Sequence, residues 1–378
     1  AKSGSLEPLT SGDWEVTDLD RVGGGQAWFT STAEGPEERH FYRVALGGGE
    51  PVRLTTQPGW NECRVSSDGS WIACLHSDLT DPVDLWVERP GSGKPPERIT
   101  RSPAKDFDPT LLAVPEIITL KSRLDGAPVT AALYRPDPGA PPDDLSRGLR
   151  PHPALVHVHG GGYSQAVRRG WGGWMTFINT LFVRQGYYVL DVDYRGSSGY
   201  GRKWRTDVRL NLGGPDLEDT LTAAEYLRSL PDVDPGRVGV WGWSYGGFLT
   251  CMSMMAKPGV FNAGVAIAPV TDWAAYDTHY TEERLGLPSE HAEAYRKGSP
   301  LTYAGRLRDP FLLVHGLRDD NVHVQDSIRL VDELVRDGKD FDVMFYPEAK
   351  HGIRSDASRI HLFKKVFAFF LEKMPPRR

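Results

Sequence analysis

A serine flanked by glycines is the clearest chemical signal in this sequence. It is Ser244, in the stretch Gly242-Trp243-Ser244-Tyr245-Gly246-Gly247. The apolar run 238–241 precedes this stretch and the apolar run 248–255 follows it. Strand, sharp turn and helix in that order lift a serine hydroxyl clear of a sheet, and the glycines allow the backbone to double back. The pattern predicts a nucleophile rather than an ordinary turn serine.

A serine nucleophile needs a base and an orienting acid, which follow it in α/β-hydrolases as Asp or Glu and then His. His351 lies after the apolar run 342–346 and before the last predicted helix, where the base is expected. Asp319 and Asp320 both follow the buried-looking run 311–315. The pattern alone leaves these two aspartates open as the acid.

An oxyanion formed at Ser244 needs hydrogen-bond donors from two places. The backbone N–H of Tyr245 is the first. The loop His159-Gly160-Gly161-Gly162 follows a predicted strand and matches the HGGG-type oxyanion loop, with a plain glycine-rich turn as the alternative. His157 and His159 share one strand face, but the sequence suggests no third ligand. We therefore predict neither a metal site nor a cofactor.

Composition excludes several classes of protein. The chain has 378 residues, 39% hydrophobic and 25% charged, with a formal net charge of −6. It has no basic field for nucleic acid and no apolar run near the ~18–20 residues that span a membrane. Cytoplasmic, periplasmic and secreted locations stay open, because any signal would lie upstream of the given chain.

Three cysteines do not make a disulfide framework. Cys63 and Cys74 are predicted on adjacent strands of one hairpin, where they can pair under oxidising conditions. We expect them to be reduced, half-buried thiols. Cys251 follows Ser244 in a predicted helix and is expected in the core.

Residues 1–112 read as two sets of four short strands separated by glycine-rich turns. Four strands repeated at about 45 residues are typical of propeller blades, with a β-sandwich as the alternative. Closed propellers have about 4–8 blades, so two blades leave open edges. We expect association with another copy or with a missing N-terminal propeller piece.

Residues 113–378 alternate strands with helices, which predicts a doubly wound, mostly parallel sheet of α/β-hydrolase type. The catalytic loops should lie at the carboxyl ends of its strands. The predicted strands are 154–159, 187–192, 238–241, 263–268, 311–315 and 342–346, and the predicted helices are 174–185, 217–230, 324–337 and 360–373.

With these residues in place, the chain resembles the C-terminal part of the prolyl oligopeptidase family of serine peptidases, most closely its dipeptidyl peptidase IV branch. The resemblance runs from about Trp14 to the last helix and implies that Asp319 is the triad acid. The stretches that carry it are 241–247, 268–270, 276–277, 280–282, 286–288, 315–316, 319–323 and 351–353.

The resemblance also implies a pocket for a proline ring at P1, although the aromatic residues alone would read as core. Asn321 matches a residue that binds the carbonyl of the preceding substrate residue. His159 stands where the branch usually has an oxyanion-donating tyrosine, so either its ring or the Gly160–Gly162 amides must donate, the latter as in acylaminoacyl-peptidase and esterase relatives. The implied pocket residues are Tyr245, Trp273, Tyr276, Tyr280, Val270 and Val322.

The resemblance therefore implies a serine peptidase that cleaves peptide substrates after proline, in the manner of a dipeptidyl- or tripeptidyl-peptidase. An acylaminoacyl peptidase or esterase of the same fold is the alternative within enzymes. A catalytically inactive binding protein is the alternative outside them, and the Ser, Asp and His set disfavours it. The exopeptidase register stays open.

Overall fold

The structure is a computed structural model that describes residues 7–102, 107–136 and 151–376. The chain divides into two compact units. The first contains the described residues up to Val114 together with Arg168–Thr176 and Ser198–Lys203, and the second contains the rest. The domain division at residues 112 and 113 stays a prediction, because two later segments group with the first unit.

The first unit contains two four-stranded antiparallel sheets, each with its strands in sequence order. Alternating side chains of the central strands form its small cores, such as Phe41 with Ile72 and Phe29 with Tyr42. The predicted partial propeller of two blade-like sheets is confirmed. The strands are β1 (Val16–Gly23), β2 (Gln26–Ser31), β3 (His40–Ala45), β4 (Val52–Arg53), β5 (Trp60–Val65), β6 (Ile72–Ser77), β7 (Asp84–Glu88) and β8 (Glu97–Arg98).

Cys63 and Cys74 form a disulfide, so the expectation of reduced thiols is wrong. They face each other directly on β5 and β6, with 4.1 Å between their Cα atoms. Residues opposite each other on antiparallel strands bring their side chains together, and here both are buried. Cys251 is free and buried, as expected.

The second unit is built on an eight-stranded sheet of order β16-β15-β14-β13-β11-β12-β10-β9. Pairing is parallel from β16 to β12, whereas β10 is antiparallel to both of its neighbours. The predicted α/β-hydrolase sheet is confirmed. The strands are β9 (Glu116–Lys121), β10 (Pro128–Tyr134), β11 (His152–Val158), β12 (Tyr188–Val192), β13 (Val233–Trp243), β14 (Ala263–Ile267), β15 (Phe311–Gly316) and β16 (Asp342–Tyr346).

The central strands are buried on both faces, which explains why they read as continuous apolar runs: every residue of β11, β12, β14 and β15 is buried. Ser355 caps the last helix by accepting a hydrogen bond from the Ser358 N–H. No helix in the described ranges is long and apolar enough to cross a membrane. The helices are α1 (Trp174–Arg184), α2 (Gly201–Thr206), α3 (Pro215–Ser229), α4 (Tyr245–Met255), α5 (Thr278–Leu285), α6 (Ala292–Gly298), α7 (Gln325–Arg336) and α8 (Asp356–Lys373).

Candidate active site

Ser244 occupies a sharp turn between β13 and α4. Its backbone has φ 62° and ψ −117°. Residues other than glycine rarely adopt a positive φ of this kind. Its N–H donates to the Ile267 carbonyl at 2.8 Å, and its carbonyl accepts from the Phe248 N–H at 2.9 Å. Strain of this kind costs of order 1–3 kcal/mol and persists only where the surroundings enforce it. The turn geometry is that of a nucleophile elbow.

The flanking glycines are required by a close approach to the end of β11. A Cβ at Gly242 would lie 2.5 Å from the Val158 carbonyl oxygen. A Cβ at Gly246 would lie 2.0 Å from that same oxygen. No larger residue fits at either position without moving backbone, so the two glycines let the elbow lie against the neighbouring strand.

Asp319 and His351 follow β15 and β16, and their side chains meet. His351 Nδ1 lies 2.8 Å from Asp319 Oδ2. The other carboxylate oxygen accepts the backbone N–H groups of Asn321 at 2.9 Å and Val322 at 3.0 Å. His315 Nε2 lies 3.2 Å from Oδ2, so the carboxylate is held on all sides.

The charge on Asp319 follows from these contacts. Burial raises the pKa of this carboxyl, but the hydrogen bonds from His315 and His351 and from the backbone outweigh it and hold its pKa well below the ordinary value. An ionised Asp319 needs a proton on His351 Nδ1, which leaves Nε2 as the basic nitrogen. The His351 side chain is 24% exposed.

The other aspartate lies elsewhere. Asp320 pairs with Lys350 at 2.5 Å, and its side chain is 59% exposed. The backbone at His351 is bonded to the turn that carries Ser244, since Trp243 Nε1 donates to the His351 carbonyl at 2.9 Å. The structure therefore places Asp319, and not Asp320, beside the histidine.

The glycine loop after β11 lies against the serine. A Cβ at Gly160 would be 3.4 Å from the Ser244 Cβ and 2.9 Å from the Trp243 carbonyl oxygen. The loop is held from outside by Tyr280, whose hydroxyl donates to the Gly161 carbonyl at 3.0 Å. Backbone amides of this loop are thus close to where an oxyanion would form on a Ser244 adduct.

The His159 ring points into a buried network. Its Nδ1 lies 2.8 Å from the Gly160 carbonyl oxygen, and its Nε2 lies 2.8 Å from the Ser197 hydroxyl. Tyr194 donates to the His159 carbonyl at 2.7 Å and stacks on the ring. Burial lowers the pKa of His159 to about 4 and keeps the ring neutral. Both ring nitrogens are engaged inside the protein, so this geometry disfavours the ring as an oxyanion donor and leaves the glycine amides.

The predicted pocket aromatics form one cluster. Trp273 stacks on Tyr280 at 5.9 Å between ring centroids, and both contact Tyr276 edge-on. Tyr245 lies 5.8 Å from Trp273. The Tyr276 hydroxyl donates to Asn321 Oδ1 at 2.7 Å, which joins the predicted carbonyl-binding residue to the cluster.

The pocket residues differ in what they can offer a substrate. Tyr276 and Tyr280 are partly exposed. Trp273 is 1% exposed and donates through Nε1 to the Gly298 carbonyl, and Val270 and Val322 are equally buried. Of these three, Trp273 contacts both partly exposed rings.

A cavity of about 480 Å³ borders His351 and gives the base open space on one side. Charged side chains of both signs line it. The other lining residues are Asp320, Glu348, Ala349, Lys350, Gly352, Arg354, Ser355 and Ser358.

Sequence comparison decides the family. The prolyl oligopeptidase family model matches residues 174–376, more than half of the chain. The chain belongs to the prolyl oligopeptidase family. The model of the dipeptidyl peptidase IV N-terminal region matches residues 1–83. The predicted family resemblance is thereby confirmed over both ends of the chain.

Relatives within the prolyl oligopeptidase family are similar along nearly all of this chain. Probable dipeptidyl-aminopeptidase B of Emericella nidulans is 33% identical over 91% of it and 38% of its own length. Dipeptidyl peptidase 8 of Homo sapiens is 32% identical over 98% of it and 42% of its own length. The crystal structure of Porphyromonas gingivalis dipeptidyl peptidase 4 matches with TM-score 0.87 and 30% identity, covering 97% of this chain and 51% of that one. This chain spans about half or less of the length of these relatives.

The sequence analysis missed three residues at this candidate site. Tyr194 and Ser197 hold the His159 ring, and Asp216 accepts a hydrogen bond from Tyr245. Only the position of Tyr194 and Ser197 along the chain could have indicated a role at the site. Tyr194 and Ser197 follow β12, beside β11, at the edge of the sheet where the catalytic loops gather.

Proposed function

We propose that this chain is the catalytic part of a serine peptidase that cleaves after proline and releases short peptides from the substrate's N-terminus. The contact between His351 Nδ1 and Asp319 Oδ2, beside the strained turn at Ser244, is the observation that carries the proposal. The names of the relatives, dipeptidyl-aminopeptidase B and dipeptidyl peptidase 8, support the exopeptidase activity.

In this mechanism Ser244 Oγ attacks the carbonyl carbon of the scissile bond, and His351 Nε2 takes the hydroxyl proton. The Tyr245 N–H and the Gly160 or Gly161 amides bind the resulting oxyanion. The C–N bond then breaks, and the amine leaves with the proton from His351. Water hydrolyses the acyl ester by the same proton route, which restores Ser244. Asp319 keeps the imidazole in the required tautomer throughout.

Selection at P1 follows from the pocket walls. Tyr276 and Tyr280 are partly exposed and pack on the uncharged Trp273, and the Arg284 guanidinium lies 3.6 Å from the centroid of the Tyr280 ring. Contact with such rings gives a rigid pyrrolidine buried area at little entropic cost. A lysine or arginine at P1 would bury an unpaired charge. Alanine is accepted more weakly, because each missing methylene costs about 1–3 kcal/mol.

The test compares Pro, Ala, Phe and Arg at P1 on otherwise identical chromogenic amides, with free and with blocked N-termini. We expect Pro to be best, Ala weaker by about 10–200-fold per lost group, and Arg weakest. A free N-terminus should be preferred. Preference for Phe over Pro would contradict cleavage after proline while leaving the serine hydrolase intact.

An acylaminoacyl peptidase or esterase is the second candidate, and the glycine loop favours it. Because the His159 ring is engaged with Gly160 and Ser197, the oxyanion donors on this side are backbone amides, as in those relatives. Faster turnover of N-acetyl-amino-acid esters than of proline amides would establish this candidate instead. Lack of labelling by a fluorophosphonate probe would indicate an inactive binding protein.

We also propose that the first unit associates through strand edges, either with another copy or with propeller strands outside this chain. β1 is an edge strand of its sheet, and Leu19 and Val22 on it are 58% and 56% exposed. A long exposed edge with apolar side chains promotes pairing with another strand. Light scattering across a dilution series tests this, and a monomer at every concentration would contradict it.

A further inference from the structure

Asp216 is a buried carboxylate behind the candidate site. It is the second residue of α3 and is 0% exposed. The Tyr245 hydroxyl donates to its Oδ2 at 2.7 Å, and the backbone N–H groups of Gly213 and Leu217 donate at 3.2 and 3.0 Å. None of its hydrogen bonds within the described chain comes from a lysine, arginine or histidine. The phenol of Tyr245 is thus its side-chain partner.

Tyr245 connects this carboxylate to the chemistry. It directly follows Ser244, so its backbone N–H is the proposed oxyanion donor. Its ring stacks on Tyr194 at 5.8 Å and contacts Trp273. A Cβ at Gly162 would lie 2.9 Å from the Tyr245 Cε2, so the ring also supports the glycine loop. A shift of the phenol would therefore move both the pocket and the oxyanion loop.

We propose that Asp216 is a positioning residue for substrate selection: its carboxylate fixes the Tyr245 phenol and thereby sets how tightly the pocket holds the P1 side chain. The inference rests on the proposed function, because it takes the aromatic cluster to be the P1 pocket. Asp216 itself contacts no substrate.

The strength of this anchor depends on the charge of Asp216. Burial raises its pKa to about 6, against the hydrogen bonds from Tyr245 and the backbone that lower it. The titratable groups that face it are the phenols of Tyr245, Tyr194 and Tyr280 and the carboxyl of Asp219. Burial raises the pKa of each of these phenols, so they stay neutral at any working pH.

Above pH 6 the Tyr245 hydroxyl donates to a charged acceptor, and below pH 6 to a neutral one. Hydrogen bonds to charged groups are about twice as strong as neutral ones. The pocket is therefore held more firmly as the pH rises through 6.

Asp219 provides a matched control. It lies one turn further along α3, is also 0% exposed, and burial raises its pKa to about 6 as well. Its partners are the Ser122 hydroxyl at 2.6 Å and the Arg195 backbone N–H at 3.0 Å and Nε at 3.2 Å, none of which is in the pocket. Asp219→Asn removes a similar buried charge without releasing Tyr245.

The experiment measures kcat/KM for Gly-Pro and Gly-Ala p-nitroanilides from pH 5 to pH 8. Both substrates use the same triad, so effects of pH on the chemical step cancel in their ratio, and the ratio reports the pocket alone. The parent protein should lose about 5-fold in its Pro/Ala ratio as the pH falls through 6. Asp216→Asn and Tyr245→Phe should give a lower ratio that does not change with pH. Asp219→Asn should keep the parent's ratio at high pH, with its fall displaced to lower pH because the neighbouring charge that raises the pKa of Asp216 is gone.

A parent ratio that is constant across this pH range would overturn the proposal. So would an Asp219→Asn variant whose ratio at pH 8 is as low as that of Asp216→Asn. If Asp216→Asn fails to fold, Tyr245→Phe and the parent pH series decide alone. If the enzyme prefers another P1 residue, the cleavage-after-proline proposal fails, and the ratio of that residue to alanine serves in the same test.

Discussion

Replacing Asp319 by asparagine should abolish most activity, because it moves one proton of His351 from Nδ1 to Nε2. One oxygen of Asp319 accepts the backbone N–H groups of Asn321 and Val322, so in the variant the amide oxygen must occupy that position. The amide NH₂ then replaces Oδ2, which lies 2.8 Å from His351 Nδ1. An NH₂ group only donates, so Nδ1 must accept and the proton moves to Nε2. In that tautomer His351 has no lone pair for the Ser244 hydroxyl.

The loss expected from this tautomer change is about 10⁴ in kcat, the size seen in other triad enzymes, or about 5 kcal/mol of activation free energy. Ser244→Ala and His351→Ala set the lower limit, about 10⁶ below the parent. The assay is kcat on a Gly-Pro chromogenic amide, with the thermal transition of each variant checked to exclude misfolding.

Asp320→Asn is the matched control. Asp320 is exposed and pairs with Lys350 rather than His351, so we expect a change of less than about 3-fold. A greater loss in Asp320→Asn than in Asp319→Asn would refute the assignment of the acid. So would an Asp319→Asn variant that keeps a tenth of the parent kcat.

Three further changes test other parts of the structure. Removing the disulfide with Cys63→Ala/Cys74→Ala should lower the free energy of unfolding of the first unit by about 2–3 kcal/mol, measured by thermal unfolding, and leave kcat unchanged. Burial lowers the pKa of His159 to about 4, so between pH 7 and pH 5 the unfolded chain binds a proton there and the folded chain does not. The free energy of unfolding therefore decreases as the pH is lowered from 7 to 5. Denaturant unfolding at the two pH values should show a drop about 2 kcal/mol smaller in His159→Gln than in the parent. Tyr276→Ala should reduce kcat/KM for proline amides about 10–100-fold while fluorophosphonate labelling of Ser244 persists.

Local features of this site could be predicted from the sequence because they are encoded in short stretches. The Ser244 turn requires glycines at fixed positions, since the Val158 carbonyl leaves no room for a Cβ. The buried strands are continuous apolar runs, and helix α3 begins at a proline with acidic residues in its first turn. Fold class, Ser244 and His351 followed from these patterns and from chain order, whereas the choice of Asp319 over Asp320 came from the family resemblance.

Contacts between distant stretches could not be predicted in this way. The hairpin that carries Cys63 and Cys74 was predicted, but whether the two face each other depends on strand register, which is set by turn geometry rather than by the cysteines. The engagement of His159 by Ser197 depends on β11 and β12 being neighbours. Asp216 reads as an ordinary acidic residue in the first turn of a helix, and its bond to Tyr245 spans 29 residues.

The candidate catalytic residues follow strands that differ in how readily they open. Ser244 follows β13, which lies inside the sheet, whereas His351 follows β16, which ends the sheet and pairs only with β15 among the described strands. Outer strands open in small fluctuations that leave the interior of a sheet intact, and their amides exchange hydrogen sooner. The base therefore belongs to the first part of the sheet to open, and activity should disappear in mild denaturant before the sheet itself unfolds. Inactivation of this kind is reversible when the denaturant is diluted, since Ser244 and its strained turn stay folded while β16 and His351 are displaced.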